Sequence, residues 1–244
     1  MNQSRQPIRL NKFLAERLGV SRREADELIA ASKVFIDDKP AALGARIDKN
    51  NKVYCNGKTV PFEADFLYIA FNKPVGYVCS RRSQGDTPTL YELLPKEYQK
   101  LKTVGRLDKD SSGLILLTND GDFAYQMTHP KFYKEKIYEV TLDRPLEPLH
   151  QQMVSDYGIM LDDGLSRFTV ISSAGDRATA AGPAERIHFK VILTEGRNRQ
   201  IRRTFAALGY RVISLHRIQF GKYQLSGLKP GKCVTISLWV LFWL

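Results

Sequence analysis

Two carboxylates, Asp108 and Asp110, sit in the segment Gly105-Arg106-Leu107-Asp108-Lys109-Asp110-Ser111-Ser112-Gly113, and four aliphatic residues, Leu114-Ile115-Leu116-Leu117, follow at once. Acids two residues apart, then Ser112 and Gly113, imitate the start of a calcium loop. Leu114 to Leu117 fill the later ligand positions, however, and Asn119 stands where a bidentate Glu is required, which excludes that site. A carboxylate acting as nucleophile or base remains, carried on a polar loop at the edge of a buried strand. Taken alone, Asp108 also reads as an ordinary turn former. Other chemistries lack their motifs: the chain has no G-x-x-x-x-G-K-[ST], no G-x-G-x-x-G and no H-E-x-x-H. His129, His150, His188 and His216 are scattered without metal-ligand spacing, so neither a metal site nor a cofactor is expected.

Two further segments carry polar residues at informative spacing. In Lys134-Glu135-Lys136-Ile137-Tyr138-Glu139-Val140-Thr141-Leu142, strand alternation puts Tyr138, Val140 and Leu142 on one face. Around Glu195-Gly196-Arg197-Asn198-Arg199-Gln200-Ile201-Arg202-Arg203, Gly196 ends a strand, and Ile201, Phe205 and Leu208 have helical spacing. That spacing gathers Arg199, Arg202 and Arg203 on one side of a helix.

The front of the chain reads as a small basic module. Leu10, Phe13, Leu14 and Leu18 follow the i, i+3, i+4, i+8 pattern of a buried helical stripe that Gly19 stops. Ser21-Arg22-Arg23-Glu24 is a capping box for a second helix. Val34-Phe35-Ile36 leads into an Asp37-Asp38 turn, and Val53-Tyr54-Cys55 into Asn56-Gly57, a favoured hairpin dipeptide. Arg9, Lys12, Arg17, Arg22 and Arg23 lie around these helices as a candidate phosphate-facing surface. A linker is expected from Val60 to Asp65.

Charge agrees with a polyanionic partner. The 244 residues carry a net charge of +11 with 43% hydrophobic residues, enough for a real core. Residues 1–60 hold twelve Lys/Arg against seven Asp/Glu, and residues 186–232 hold eleven against the single acid Glu195. Cys55, Cys79 and Cys233 form no C-x-x-C pair, which excludes a zinc knuckle and fits a reducing cytoplasm. The opening residues have no apolar leader, and nowhere do about 18 apolar residues run together, so no membrane association is expected.

Four segments resemble known families. The stretch from Arg9-Leu10-Asn11-Lys12-Phe13-Leu14 through Ser21-Arg22-Arg23-Glu24-Ala25 is similar to the S4 RNA-binding domain, over about residues 8–55. Gly-Arg-Leu-Asp-x-Asp-Ser-x-Gly-Leu followed by Leu-Thr-Asn-Asp-Gly resembles the signature of the pseudouridine synthases, in the branch that modifies ribosomal RNA and carries an N-terminal S4 domain. Asn72-Lys73-Pro74-Val75-Gly76-Tyr77-Val78-Cys79-Ser80 resembles the start of that catalytic domain. Leu215, Arg217, Gly221, Leu225 and Leu228 through Pro230-Gly231 resemble its closing motif.

The resemblance implies an α+β chain, with an S4-like RNA-binding module over residues 1–60 and a catalytic domain over 61–244. That domain is expected to hold a mostly antiparallel mixed sheet with flanking helices. By the same resemblance Asp108 is the catalytic carboxylate, Tyr138 stacks on the base and is a candidate general base, and Arg202 pairs with Asp108 and keeps it ionised. Lys73, Arg106, Arg199, Arg203 and Leu225 are the implied substrate contacts, Leu225 covering the base. The implied reaction isomerises a uridine of ribosomal RNA or of a ribosomal assembly intermediate, with the nucleotide flipped into the site and no cofactor. Small-subunit ribosomal RNA is favoured and the protein is expected to be a monomer. A large-subunit enzyme, a transfer RNA enzyme and a catalytically silent RNA-binding or assembly factor are the alternatives. One departure stands out: Leu238-Trp239-Val240-Leu241-Phe242-Trp243-Leu244 is uniformly apolar where the family usually continues polar.

Overall fold

Leu10, Phe13 and Leu14 are fully buried on the helix Leu10–Leu18, which ends at Gly19 in the left-handed conformation, φ 71°. Leu18 departs from the expected stripe and is 38% exposed. The next helix, Arg22–Ala30, opens with the full capping box: the Glu24 amide donates to Ser21 Oγ at 3.1 Å, and the Ser21 amide donates to the Glu24 carboxylate at 2.6 Å. Two hairpins face these helices. Asp37 and Asp38, and likewise Asn56 and Gly57, adopt positive φ between strands paired at Ile36 with Lys39 and at Cys55 with Lys58. The apolar faces close on one core built from Leu10, Phe13, Leu14, Ala25, Ile29 and Val34 with Ile47, Val53, Cys55 and Val60.

The computed structural model describes residues 7–63, 65–82, 85–172 and 187–237, in two units. The first runs to Leu67 and includes Lys100–Lys102 and Thr118–Gly121; the second holds the remainder. The apolar segment 238–244 lies outside the described residues. Among the described residues no helix is long and apolar enough to cross a membrane.

The second unit is organised by one mixed sheet. Its path runs through Thr169–Ser172, His188–Leu193, Lys136–Leu142, Val212–Phe220, Ser112–Thr118, Tyr68–Lys73 and Cys233–Thr235. Four of these pairings are antiparallel and Val212–Phe220 lies parallel to Ser112–Thr118, so the sheet is mixed and mostly antiparallel as expected. Leu114, Ile115, Leu116 and Leu117 are all completely buried, which is why this strand reads as an unbroken apolar run. In Lys136–Leu142 alternation holds, with Tyr138, Val140 and Leu142 buried.

The parallel junction depends on a glycine. Gly113 pairs with Arg217 and has φ +107°. A Cβ there would lie 2.5 Å from the Arg217 amide nitrogen and 2.8 Å from its carbonyl carbon, with the carbonyl oxygen closer still. Backbone cannot yield as a flexible side chain does. We therefore expect Gly113→Ala to combine overpacking with a strained φ and to lower stability by at least about 3 kcal/mol. Denaturant unfolding measures this, and an unchanged midpoint would show that the junction has room.

Candidate active site

A buried lysine sets the shape of the Asp108 turn. Lys73 closes the strand Tyr68–Lys73 and is wholly inaccessible, and its ammonium donates to the carbonyls of Pro74 at 3.0 Å, Asp108 at 3.0 Å and Ser111 at 2.7 Å. Burial pulls its pKa down, opposed by the neighbouring Cys79, Asp108 and Asp110. The same segment makes further backbone contacts. The Gly76 amide donates to Lys109 O at 2.7 Å, and Leu107 exchanges hydrogen bonds with Cys79 Sγ at 3.3 Å. Lys73 thus lies beneath the turn as its support. It does not border the pocket.

The pocket beside this turn has a volume of about 270 Å³ and is bordered by Asp108, Arg106, Tyr138, Leu215 and the Glu195–Ile201 segment. Asp108 faces it and Asp110 does not border it. Asp110 is instead clamped by Arg199, whose Nη1 and Nη2 donate to its two carboxylate oxygens at 2.9 Å each; that contact holds its carboxyl below the usual range. Arg199 Nη1 also lies 3.8 Å from Asp108 Oδ2. Arg199 caps the helix Gln200–Ala207 in the left-handed region, φ 46°, a strained conformation of the kind that concentrates at functional sites.

The expected pair of Arg202 with Asp108 is not the arrangement found. Arg202 donates to Val212 O and Asp110 O, both at 2.8 Å, and its Nε lies 3.3 Å from Asp110 Oδ2. These contacts tie its guanidinium to backbone and to the second aspartate, so Arg199 is the cation nearest Asp108. Arg203 is likewise engaged, bidentate on Asp163 at 3.1 and 2.6 Å, and does not border the pocket. Leu225, partly buried, packs against the core of Ala70, Leu114, Leu116 and Phe220, and the aliphatic side chains on the pocket wall are Leu107, Leu193, Ile201 and Leu215. Arg106 is exposed at the rim. Among the described residues no group of three or more His, Cys, Asp or Glu is placed to hold a metal ion.

The basic residues of the first unit divide by what they already bind. Arg9, Arg22 and Arg23 are exposed, and Lys12 lies 3.9 Å from Glu16. Arg17 donates to Pro61 O at 3.2 Å and Phe62 O at 2.5 Å and lies over the Phe13 ring, so it ties down the chain after the module instead of joining an open cationic face.

Two pocket residues, Gln200 and Lys136, were not singled out in the sequence, and Arg217 was named there only as part of the closing motif, with no role assigned. Gln200 is buried, accepts from the Arg197 amide and donates to Glu195 and to Ser166 Oγ, which organises the loop carrying Arg199. Lys136 stands two residues before Tyr138 on the same strand face. Alternation alone would have found it as a polar residue at an inward position. Arg217 is 2% exposed and pairs across the sheet with Tyr138, its guanidinium 6.0 Å from that ring. Burial chiefly, then repulsion from Arg217, brings the Lys136 ammonium down to about 8 from an ordinary 10.5.

Since the folded value is the lower one, the folded protein releases this proton first, and Lys136 contributes rising stability as pH climbs from about 8 to 10.5. Nuclear magnetic resonance of the Lys136 side chain should show a midpoint near 8, and Arg217→Met should raise it by removing the repulsion. A midpoint that stays put in Arg217→Met would mean that the two cations do not sense each other.

Known proteins resemble this chain along most of its length. A family model described as RNA pseudouridylate synthase matches residues 67–207, and the S4 domain model matches residues 8–53. The ribosomal small subunit pseudouridine synthase A of Pasteurella multocida is 35% identical over 94% of this chain and 96% of its own length. The ribosomal large subunit pseudouridine synthase B of Buchnera aphidicola is 34% identical over 94% and 93%. A crystal structure of a pseudouridylate synthase superposes with a TM-score of 0.65 at 31% identity, covering 94% of this chain and 96% of that one. With the catalytic model spanning more than half of its length and full-length relatives above 30% identity, the chain belongs to the RNA pseudouridylate synthase family and carries an S4 domain ahead of its catalytic fold.

Proposed function

We propose that this pseudouridine synthase isomerises a uridine of small-subunit ribosomal RNA, with Asp108 as the reacting carboxylate. One observation carries the assignment: of the two aspartates in the turn, Asp108 borders the pocket with Tyr138, while Asp110 is consumed by Arg199 and Arg202. The N1–C1′ bond must break and the base must rejoin through C5. A carboxylate beside sugar and base begins this by attacking C6 or C1′ or by removing a ribose proton. Arg199, 3.8 Å from Asp108, offsets the desolvation of that carboxylate when RNA closes the site. Tyr138, buried at the pocket wall, supplies the flat surface on which a flipped base stacks and a hydroxyl for the final proton removal.

The substrate reading rests on similarity to the small-subunit enzyme together with the S4 domain, whose exposed Arg9, Arg22 and Arg23 suit phosphate contacts. Large-subunit ribosomal RNA is the second reading, favoured by the Buchnera aphidicola relative, which matches the same share of the chain. Incubating the protein with transcripts of each RNA and mapping pseudouridine decides between them. The free thiols Cys55, Cys79 and Cys233 support action in a reducing compartment, the cytoplasm.

Two outcomes test the roles. Asp108→Asn should slow tritium release from 5-tritiated uridine RNA by a factor of roughly 10²–10⁴ or more while RNA still binds. Asp110→Asn loosens a half-exposed ion pair and should cost less than about tenfold; equal losses would deny Asp108 its distinct part. For binding, Arg22→Ala with Arg23→Ala should make the log K against log salt plot shallower by about 1.4–1.8. Arg17→Ala, whose guanidinium is held by carbonyls, should leave that slope nearly unchanged, and a matching change would put Arg17 on the RNA.

A further inference from the structure

Arg217 is the largest fully buried side chain among the described residues, and its charge has no counterpart there. Its Nε donates to Leu114 O at 2.7 Å, whereas its Nη2 has no hydrogen-bond partner among the described residues. The guanidinium sits 4.9 Å from the centre of the Phe220 ring and 6.0 Å from that of Tyr138, and the residue borders the pocket that Asp108 faces. A desolvated cation with an unmet N–H is costly to keep unless a ligand meets it. The pocket wall adds to the anomaly. It holds the basic residues Arg106, Lys136, Arg197, Arg199 and Arg217 against only Asp108 and Glu195, and of these cations Arg197 and Arg199 are the ones held by carboxylates. Such a surplus suits a group that becomes anionic after it enters.

We propose that Arg217 is the group that stabilises the departing uracil, its free Nη2 donating to a carbonyl oxygen of the base as the glycosidic bond breaks. The inference rests on the reading of this pocket as the uridine site. In the step, the electron pair of N1–C1′ leaves with the base, which becomes a uracil anion. C1′ is satisfied either by a new bond to an Asp108 oxygen or by loss of a C2′ proton to that carboxylate. After the ring turns, the C5 electron pair forms the bond to C1′ and the Asp108 bond or proton is returned. The C5 proton passes by way of the Tyr138 hydroxyl to solvent and N1 takes up a proton, so that product and substrate are isomers. A fixed cation aimed at the carbonyls of the base acts only where charge develops, as an oxyanion donor does. Tyr138 supports the stacking face while Arg217, its cross-strand partner, reads the edge.

The test compares leaving groups. Arg217→Gln and Arg217→Lys are assayed in single turnover by chromatographic loss of the target nucleoside, in RNA carrying uridine or 5-fluorouridine at that position. Fluorine stabilises the base anion and lessens the need for the cation. Arg217→Gln should slow uridine loss by roughly 10²–10³, the defect should shrink at least fivefold with 5-fluorouridine, and Arg217→Lys should recover part of the rate. Equal defects on both substrates would overturn the proposal and leave Arg217 a purely structural residue. Should the variants fail to fold, inhibition of the unaltered enzyme decides. 5-Nitrouracil, anionic at neutral pH, should inhibit at least tenfold more strongly than neutral thymine, and inhibition no stronger than by thymine overturns the assignment. An Asp108→Asn enzyme that still converts uridine would instead overturn the reading of the pocket, and this inference with it.

Discussion

The contact on which the rest depends is the ammonium of Lys73 beneath the Asp108 turn. Three carbonyls, from Pro74, Asp108 and Ser111, converge on one buried cation. Backbone carbonyls buried without a donor would each cost about 1–3 kcal/mol, so the lysine pins the turn from below while leaving its side chains free above. Polar loops at sheet edges ordinarily move. This one is anchored at both ends, by Lys73 on one side and by the completely buried Leu114–Leu117 run on the other. The carboxylate of Asp108 therefore faces the pocket as a consequence of backbone hydrogen bonding, with little demand on its own side chain.

Above the turn, charge is arranged by competition for few partners. Asp110 takes both Arg199 nitrogens and the Arg202 backbone-directed guanidinium, which leaves Asp108 with a single cation at 3.8 Å. An ion pair that loose leaves the carboxylate oxygens open on the pocket side, as a group that must form a bond requires. The strained Arg199 backbone and the buried Gln200 network that carries it belong to the same arrangement. Arg203 and Arg197 lie on Asp163, whose carboxyl is pulled down chiefly by Arg203, so this edge of the site is cross-linked to the turn between Leu161 and Gly164.

Side chains within one stretch of chain were legible because their neighbours in sequence are their neighbours in space. The capping box at Ser21 and Glu24, the left-handed turns at Asp37-Asp38 and Asn56-Gly57, the buried Leu114–Leu117 strand and the inward face of Tyr138, Val140 and Leu142 all follow from spacing and conformational preference. The motif around Asp108 marked its turn through its resemblance to the pseudouridine synthase signature, since alone it reads as an ordinary turn.

Partners across the fold were another matter. Arg202 and Arg199 are three residues apart on similar basic sequence, and only the position of the helix start against the turn decides which reaches Asp108. Arg17 looked like a free surface charge until the chain after the module folded back to offer the Phe62 carbonyl. Arg217 depends on an irregularity of register: Ile137 faces Gln219, but Tyr138 faces Arg217, so a bulge skips Ile218 and brings an arginine, not an isoleucine, opposite the tyrosine. Composition and periodicity thus determined the elements, and motif resemblance marked the S4 module and the Asp108 loop. Which cation meets which carboxylate, and which guanidinium keeps an N–H without a partner among the described residues, was decided by tertiary register, since a one-residue slip between strands exchanges every cross-strand neighbour while leaving the local pattern unchanged.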